Sequence, residues 1–317
     1  MSQYAVGVTT LTCINIIIAI GLYITILSGQ LSALHAALAG VGGYAAGYLA
    51  VTYSTSLWIT LVVGAAAGAV VGVAVCCCLF RLAGFYLSIA TLAVGQALVT
   101  VADNVTTVGG ADGLSGIPLR VGMTLAFVSA IVVIVGVRHW QNSLGGYTSR
   151  ALGEDEVAAM ASGVSLRRVR VWAFLVGGLL AGYAGALQAQ NIGIVVPNSL
   201  SFQAEVTLFF FVGIGGMSTY AGALWGAILV TVLPEVLRFS TYDRYLYFGL
   251  ALALAMMLRP YGLIPRVPLG RGLLGRGLRA WRPPGRHDPP SLTAAGDGSN
   301  AGRPSNQVTD TSQTLAP

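Results

Sequence analysis

The sequence predicts an all-α, polytopic integral membrane bundle, and three observations carry that prediction. Hydrophobic residues make up 55% of the 317-residue chain and charged residues only 9%, with a mean hydropathy of +0.76. A soluble domain carries about 25% charged residues, so there is too little charge here to cover the surface that a water-soluble core would leave. The apolar residues gather in runs close to the ~20 residues a helix needs to cross the hydrocarbon core. Glycine, with 42 residues, recurs at four-residue spacing inside those runs, the pattern that lets membrane helices approach closely.

About nine transmembrane segments follow along the chain, at 8–27, 32–51, 57–80, 85–102, 121–137, 171–189, 203–216, 220–237 and 245–258. The first is preceded by no basic n-region and is long enough to span rather than to serve as a signal-peptide core. Only 203–216 and 220–237 contain an acid, Glu205 and Glu235 respectively. The runs 203–216 and 245–258 are short enough to be tilted, broken or re-entrant. Residues 1–264 thus read as a transmembrane domain. Residues 265–317, rich in Pro, Gly, Ser and Arg, read as a disordered basic tail that cannot bury enough apolar area to fold and is drawn weakly to anionic lipid.

All positive charge is arginine, and the chain has no lysine. The arginines form no soluble basic face of the kind that binds nucleic acid. They collect in loop 138–170, at Arg138, Arg150, Arg167, Arg168 and Arg170, and in the tail. Positive charge marks the cytoplasmic side. Four spans separate the loop from the tail, an even number, so both fall inside. Counting back puts the N-terminus outside, Arg81 inside, and a minority (Arg120, Arg238, Arg244) outside. Cys76, Cys77 and Cys78 are adjacent within an apolar run and Cys13 lies in another. They read as small apolar filler without metal-ligand spacing, and no metal is expected. Gly64, Gly68 and Gly72 form one glycine ridge, Gly43 and Gly47 a second, and Gly222 and Gly226 a third.

Four segments stand out chemically. In "RALGEDEVAAMASG", 150–163, Gly153 fits an N-cap, with Glu154, Asp155 and Glu156 in a first turn where carboxylates complement the helix dipole. Leu152 and Val157 are placed as a hydrophobic staple, Gly163 fits the C′ position, and Val157, Met160 and Ala161 form an apolar stripe. The spacing predicts a roughly ten-residue amphipathic helix in the largest internal cytoplasmic loop. Its two readings are a solvated capped helix and a docking helix for a soluble partner. "DNVTTVGGADGLSGIP", 103–118, is an outer, glycine-rich connector. It holds Asp103, Gly109, Gly110, Asp112 and Gly113, and reads either as a tight turn or as a contact for an external partner. "SGQLSALHAALAGVGGYAAGY", 28–48, places Gln30 and His35 where polar groups are costly unless they face a cavity or another helix. "GIGGMSTYAGALWG", 213–226, is no phosphate loop, since no strand precedes it and no Gly-Lys-Ser/Thr follows. A chain without lysine has no Walker A lysine, so any driving ATPase is another chain. Glu205 and Glu235 are intramembrane acids and candidates for function by default, though both are expected near span ends.

Taken in order, these segments resemble the branched-chain amino-acid ABC transporter permeases. "GQLSALHAALAGVGGY" is similar to that family's "GQxSLGHAAFxGIGAY". "RLAGFYLSIATLAVGQ" and "GGADGLSGIP" resemble "GxYFAxxTLAFxE" and "TGGSDGLSGIP". "RALGEDEVAAMASGVS" resembles "RAIREDExAAxAxGIN" of the M-type subunit, and "FLVGGLLAGYAGAL", "FVGIGGMSTYAGALWGAIL" and "LPEVLR" resemble its later part. The resemblance covers roughly residues 28–265. It departs at Gly153, where the family usually has arginine, and at Val108, where it usually has threonine.

The resemblance implies a multi-pass permease subunit of a prokaryotic cell-membrane importer that performs no covalent chemistry and binds no cofactor itself. ATP and Mg would belong to two cytoplasmic ATPase subunits. The other partners would be a related H-type permease, an external substrate-binding protein and membrane lipid. Residues 150–163 would be the coupling helix, with Arg150, Leu152, Gly153, Glu154, Asp155, Glu156, Val157, Met160 and Gly163 facing or shaping the ATPase contact. Asp103, Gly109, Gly110, Asp112 and Gly113 would face the binding protein. Gln30, His35, Thr91, Gln96 and Glu205 would line the translocation path. The expected cargo is a branched-chain or other hydrophobic amino acid, with urea or short amides as the alternative within the family. From a different class, an ion-coupled secondary transporter would need mid-membrane acids and inverted repeats, and no repeat stands out. An intramembrane enzyme is disfavoured by the presence of only three histidines.

Overall fold

The structure, a computed structural model, describes residues 3–82 and 84–236 together with Gly249. The expected span 245–258, the tail 265–317, Arg238 and Arg244 lie outside the described residues. Ten α-helices run in the order α1 (Gln3–Leu27), α2 (His35–Thr52), α3 (Leu57–Cys78), α4 (Phe85–Asn104), α5 (Met123–Gln141), α6 (Leu144–Glu154), α7 (Glu156–Ala161), α8 (Leu166–Ile192), α9 (Phe202–Gly215) and α10 (Tyr220–Val236). Two short strands, β1 (Leu114–Ser115) and β2 (Ile194–Val195), pair antiparallel with Leu114 opposite Val195.

Five of the described helices, α1, α3, α4, α5 and α8, are long and apolar enough to cross a membrane. The expected spans 32–51, 203–216 and 220–237 are present as α2, α9 and α10, but these are shorter or more polar, with 18, 14 and 17 residues. The span expected at 32–51 starts at His35, because residues 28–34 form a break in which Ser28, Gln30 and Ser32 to Leu34 are buried while Gly29 and Leu31 are exposed. The span expected at 171–189 is longer at both ends, running from Leu166 to Ile192.

α8 is the central post. It packs against α3, α2 and α1, and its 27 residues extend about 40 Å at 1.5 Å per residue. The loop between α4 and α5 meets the loop after α8 through the β1–β2 pair and through Ile117 N–H donating to the Gly193 carbonyl at 3.2 Å. Both therefore lie at one end of α8, while α6 and α7 precede its other end. Arg120 donates to the Thr55 carbonyl at the first end. Cys77, Arg81 and Arg167 line one cleft at the second. The 103–118 connector and the 150–163 segment thus occupy opposite ends of the bundle.

Glycine sets the helix spacing. The α3 ridge predicted from sequence meets a second ridge on α8, Gly178 and Gly182. A Cβ on Gly68 would sit 2.4 Å from the Gly178 carbonyl oxygen, and one on Gly42 of α2 would sit 2.4 Å from Gly182 Cα. The Gly222/Gly226 ridge packs α10 onto α9, where a Cβ at Gly226 would lie 1.8 Å from the Phe211 carbonyl oxygen. Polar side chains join helices at a few points: Gln190 to Thr60 at 2.8 Å, Ser129 to Tyr183 at 2.8 Å, and Asn15 to Thr231 at 3.0 Å.

Replacing Gly182 by alanine drives a methyl group into the α3 backbone, which no rotamer change can relieve. We expect Gly182→Ala to destabilise the detergent-solubilised protein by ~1–3 kcal/mol or more. Gly7→Ala, where a Cβ meets nothing within 4 Å, should be neutral or slightly stabilising, since alanine is the better helix former. Thermal unfolding of the two variants side by side checks this.

Candidate functional site

Two regions gather the candidate residues. The first is the break between α1 and α2. Gly29, at φ +78°, ends α1 in a Schellman arrangement, in which Gln30 N–H donates to the Thr25 carbonyl at 3.3 Å and Gly29 N–H to the Ile26 carbonyl at 2.9 Å. The chain then runs without helix to His35. Its freed backbone groups are satisfied from neighbouring elements. Ala33 N–H donates to Thr91 Oγ1 at 2.9 Å, and Ser88 Oγ donates to the Leu31 carbonyl at 2.6 Å, both from α4. His35 Nε2 lies 3.1 Å from Thr25 Oγ1.

The N-terminus of α2 lacks a side-chain cap from its own N-cap residue, Leu34. Glu205 supplies one from α9: its Oε2 accepts the Ala36 N–H at 2.6 Å. Glu205 is 4% exposed. Glu205 is thus buried within the protein, one turn into α9. Leu200, just before α9, packs against Gly40 of α2, and although Phe202 and Gln203 at the start of α9 are exposed, Glu205 faces the bundle. The second Glu205 oxygen, Gln30 Oε1 and Ser32 Oγ are buried with no hydrogen-bond partner among the described residues.

The structure therefore brings Gln30, His35, Thr91 and Glu205 together around one helix break. It does not bring Gln96, which lies about a turn and a half further along α4, half-buried. Thr25 and Ser88 belong to the cluster and were not singled out from sequence. A hydroxyl on an otherwise apolar helix is too common a signal to have identified them.

The second region is 144–170. A single helix starting from a Gly153 cap was expected, and the structure corrects it. α6 runs through Gly153 to Glu154, the chain kinks at Asp155 (φ −150°, ψ 106°), and α7 follows. The cap is Asp155, whose Oδ1 accepts from Val157 N–H at 2.9 Å and Ala158 N–H at 3.0 Å. A short carboxylate that reaches both N–H groups outcompetes a glycine with no acceptor. Glu156 instead pairs with the buried Arg170 of α8 at 2.9 Å. The staple is absent: Leu152 is buried while Val157 is 73% exposed. Gly163 is at C′ as expected (φ +86°), with Val164 N–H donating to the Ala159 carbonyl at 3.1 Å.

Gly153 has a different role, in packing. A Cβ there would lie 2.5 Å from the Leu27 carbonyl oxygen, and a Cβ on Gly29 would lie 3.2 Å from Gly153 Cα. The two candidate regions therefore touch, backbone to backbone. Arg150 is half-buried. Val157 and Met160, the latter 44% exposed, face outward together with the exposed Leu144 and Tyr147 of α6.

At the opposite end, Asp103 and Asp112 are exposed, while Gly110 and Gly113 are buried. Gly113 (φ +78°) lies where a Cβ would meet the Val195 carbonyl oxygen at 2.3 Å, so it shapes the turn. Gly109 is shaped likewise, its Cβ position lying 2.0 Å from the Gly113 carbonyl oxygen.

Because Glu205 caps α2 through an acceptor oxygen, Glu205→Gln should retain the helix end, whereas Glu205→Leu orphans the buried Ala36 N–H. The leucine variant should be less stable by ~1–3 kcal/mol and the glutamine variant much less affected, as read by thermal unfolding in detergent.

Comparison with known proteins places this architecture. The family model described as branched-chain amino acid transport system, permease component, matches residues 4–259. The chain is 30% identical to the high-affinity branched-chain amino acid transport system permease protein LivM of Escherichia coli, over 84% of this chain and 71% of that protein. It is 24% identical to the ribose import permease protein RbsC of Haemophilus influenzae, over 78% and 80%. It is 27% identical to the permease protein LivH of Salmonella typhimurium, over 45% and 46%. No solved structure matches. With its membrane-length helices and a match that spans most of its length, the chain belongs to the family of permease components of branched-chain amino acid transport systems.

Proposed function

We propose that this chain is the M-type permease subunit of an ATP-driven, binding-protein-dependent importer of branched-chain or other hydrophobic amino acids. It works beside a related H-type permease, two cytoplasmic ATPase subunits and an external binding protein. Similarity to both LivM and LivH supports a paired permease. The arginine-rich 138–170 loop supports an inward-facing α6–α7 end, by the rule that cytoplasmic loops carry the positive charge. The opposite end, with the exposed Asp103 and Asp112, then meets the binding protein.

The observation that carries this reading is the α6–α7 step. Its apolar residues Val157 and Met160 point away from the bundle, while Asp155 and the Arg170–Glu156 pair fix its shape from within. A capped helix with an unpartnered apolar stripe, seated on a transmembrane helix by an ion pair, is suited to transmit movement of a soluble ATPase. Transmission runs through Gly153 to the polar break at Gly29, where Gln30, His35, Thr91 and Glu205 form a gate-like constriction. The chain contributes no covalent chemistry.

Val157→Asp combined with Met160→Asp tests the reading without touching a buried group. ATPase co-purification should be lost and leucine uptake in proteoliposomes should fall by more than about tenfold, as expected for removing a desolvated interface core. The melting temperature should be unchanged. An ATPase that still co-purifies with this double variant sinks the docking assignment. Substrate class is read separately, by which amino acid, amide or sugar the reconstituted system accumulates.

A further inference from the structure

A groove runs along the bundle between α1, α5 and α8. At the α6 end it opens as a cleft of ≈430 Å³ whose mouth carries Arg168, Trp140, Trp172 and Ser149. It continues as a second cleft of ≈220 Å³, sharing Ile24, Trp140 and Val176 with the first and walled by Val133, Gly136, Val137 and Leu180. Val133 lies eight residues before the end of α5 at Gln141, about 12 Å into the helix. The groove thus passes from a cationic mouth to an aliphatic channel at hydrocarbon depth.

Three features identify the occupant. No acid lines either cleft. The exposed Arg168 guanidinium has no ion-pair partner among the described residues, where the ion pair formed is Arg170–Glu156. The mouth therefore suits an anion, and an apolar protein helix seated there would leave the guanidinium unmatched. Tryptophan pairs of this kind sit at the headgroup level of a bilayer, and Trp140 and Trp172 flank the mouth. The deep end is bare of polar side chains, and at Gly136 a Cβ would meet nothing within 4 Å, which leaves the wall open along its length.

We infer that this groove is a binding site for an anionic phospholipid, with the headgroup phosphate on Arg168 between Trp140 and Trp172 and one acyl chain along Val133, Gly136, Val137 and Leu180. A bound lipid would brace α5 against α8 directly behind the α6 hinge, and so tie the stability of the α6 end to lipid charge.

The test is native mass spectrometry of the full chain in detergent, titrated with dioleoyl phosphatidylglycerol, dioleoyl phosphatidylcholine or inorganic phosphate. Phosphatidylglycerol should be retained in preference to phosphatidylcholine. Arg168→Gln should weaken phosphatidylglycerol retention about fivefold, the effect of one arginine at an anionic surface, and weaken phosphatidylcholine less, because choline already neutralises its phosphate. Arg120→Gln, the same charge loss at the other end of α5, should have no effect. Gly136→Phe, with Val133→Phe as a second filling variant, should reduce retention of both lipids while the protein stays folded. The inference is overturned by equal retention of the two lipids, by equal effects of Arg168→Gln and Arg120→Gln, or by filling variants that retain lipid normally. It is also overturned if inorganic phosphate displaces the lipid, or if a photo-crosslinker at position 136 captures polypeptide in place of phosphatidylglycerol.

Discussion

A helix that stops within the hydrocarbon leaves N–H and C=O groups that water cannot reach, and each such group must be matched inside the protein. The break between Leu27 and His35, whose Ser28, Gln30, Ser32, Ala33 and Leu34 are buried, creates that debt where the chain turns into the bundle. Much of the remaining architecture answers it. α4 is held close because Ser88 and Thr91 supply bonds to residues 31 and 33. α9 is tied to α2 because Glu205 reaches the end of that helix. The unmatched Glu205 oxygen, Gln30 Oε1 and Ser32 Oγ remain as polar capacity in an apolar interior. Such capacity is expensive and tends to mark a transport path.

The second constraint is proximity. No hydrophobic effect draws helices together in lipid, so packing must hold them. Gly182 lies between α2 and α3, close to Gly42 on one side and to Gly64 and Gly68 on the other. With side chains absent along this seam, backbone meets backbone and a few interhelical hydrogen bonds set the register. The same economy appears at α9–α10, where Gly215, Gly222 and Gly226 interlock.

Much of this was legible in the sequence. Eight of the apolar runs correspond to helices, because a run of that length has few alternatives in a chain so poor in charge, and two of the three glycine ridges fell where four-residue spacing put them; on α2, Gly42 and Gly43 meet α8 while Gly47 faces Ile117 and Leu114. The break after Gly29 was visible only as a polar interruption. Its position inside the bundle depends on what α4 and α9 offer it, and those are contacts across the fold that local pattern does not encode. The contact of Glu205 with the end of α2 was hidden for the same reason, since a bond from residue 205 to residue 36 leaves no trace in local pattern. At 150–163 the composition indicated a helix capped by Gly153, with all three carboxylates in its first turn. The choice of Asp155 rests on Arg170 claiming Glu156 and on α6 extending past Gly153. Gly153 was unexpected against the family pattern, and its reason, the Leu27 carbonyl, sits more than a hundred residues away.

The meeting of Gly29 with Gly153 bears on how the molecule tolerates change. Two glycine backbones this close, with no space for a Cβ on Gly153, have no rotamers to yield, so the joint behaves as a hard bearing rather than a cushion. A longer side chain at either position would need the opposing backbone to retreat. The two sites are therefore expected to vary together across descendants of this sequence. A graft of α6 and α7 from a relative would carry its own counterpart of the Leu27–Gly29 turn with it, or fail to seat.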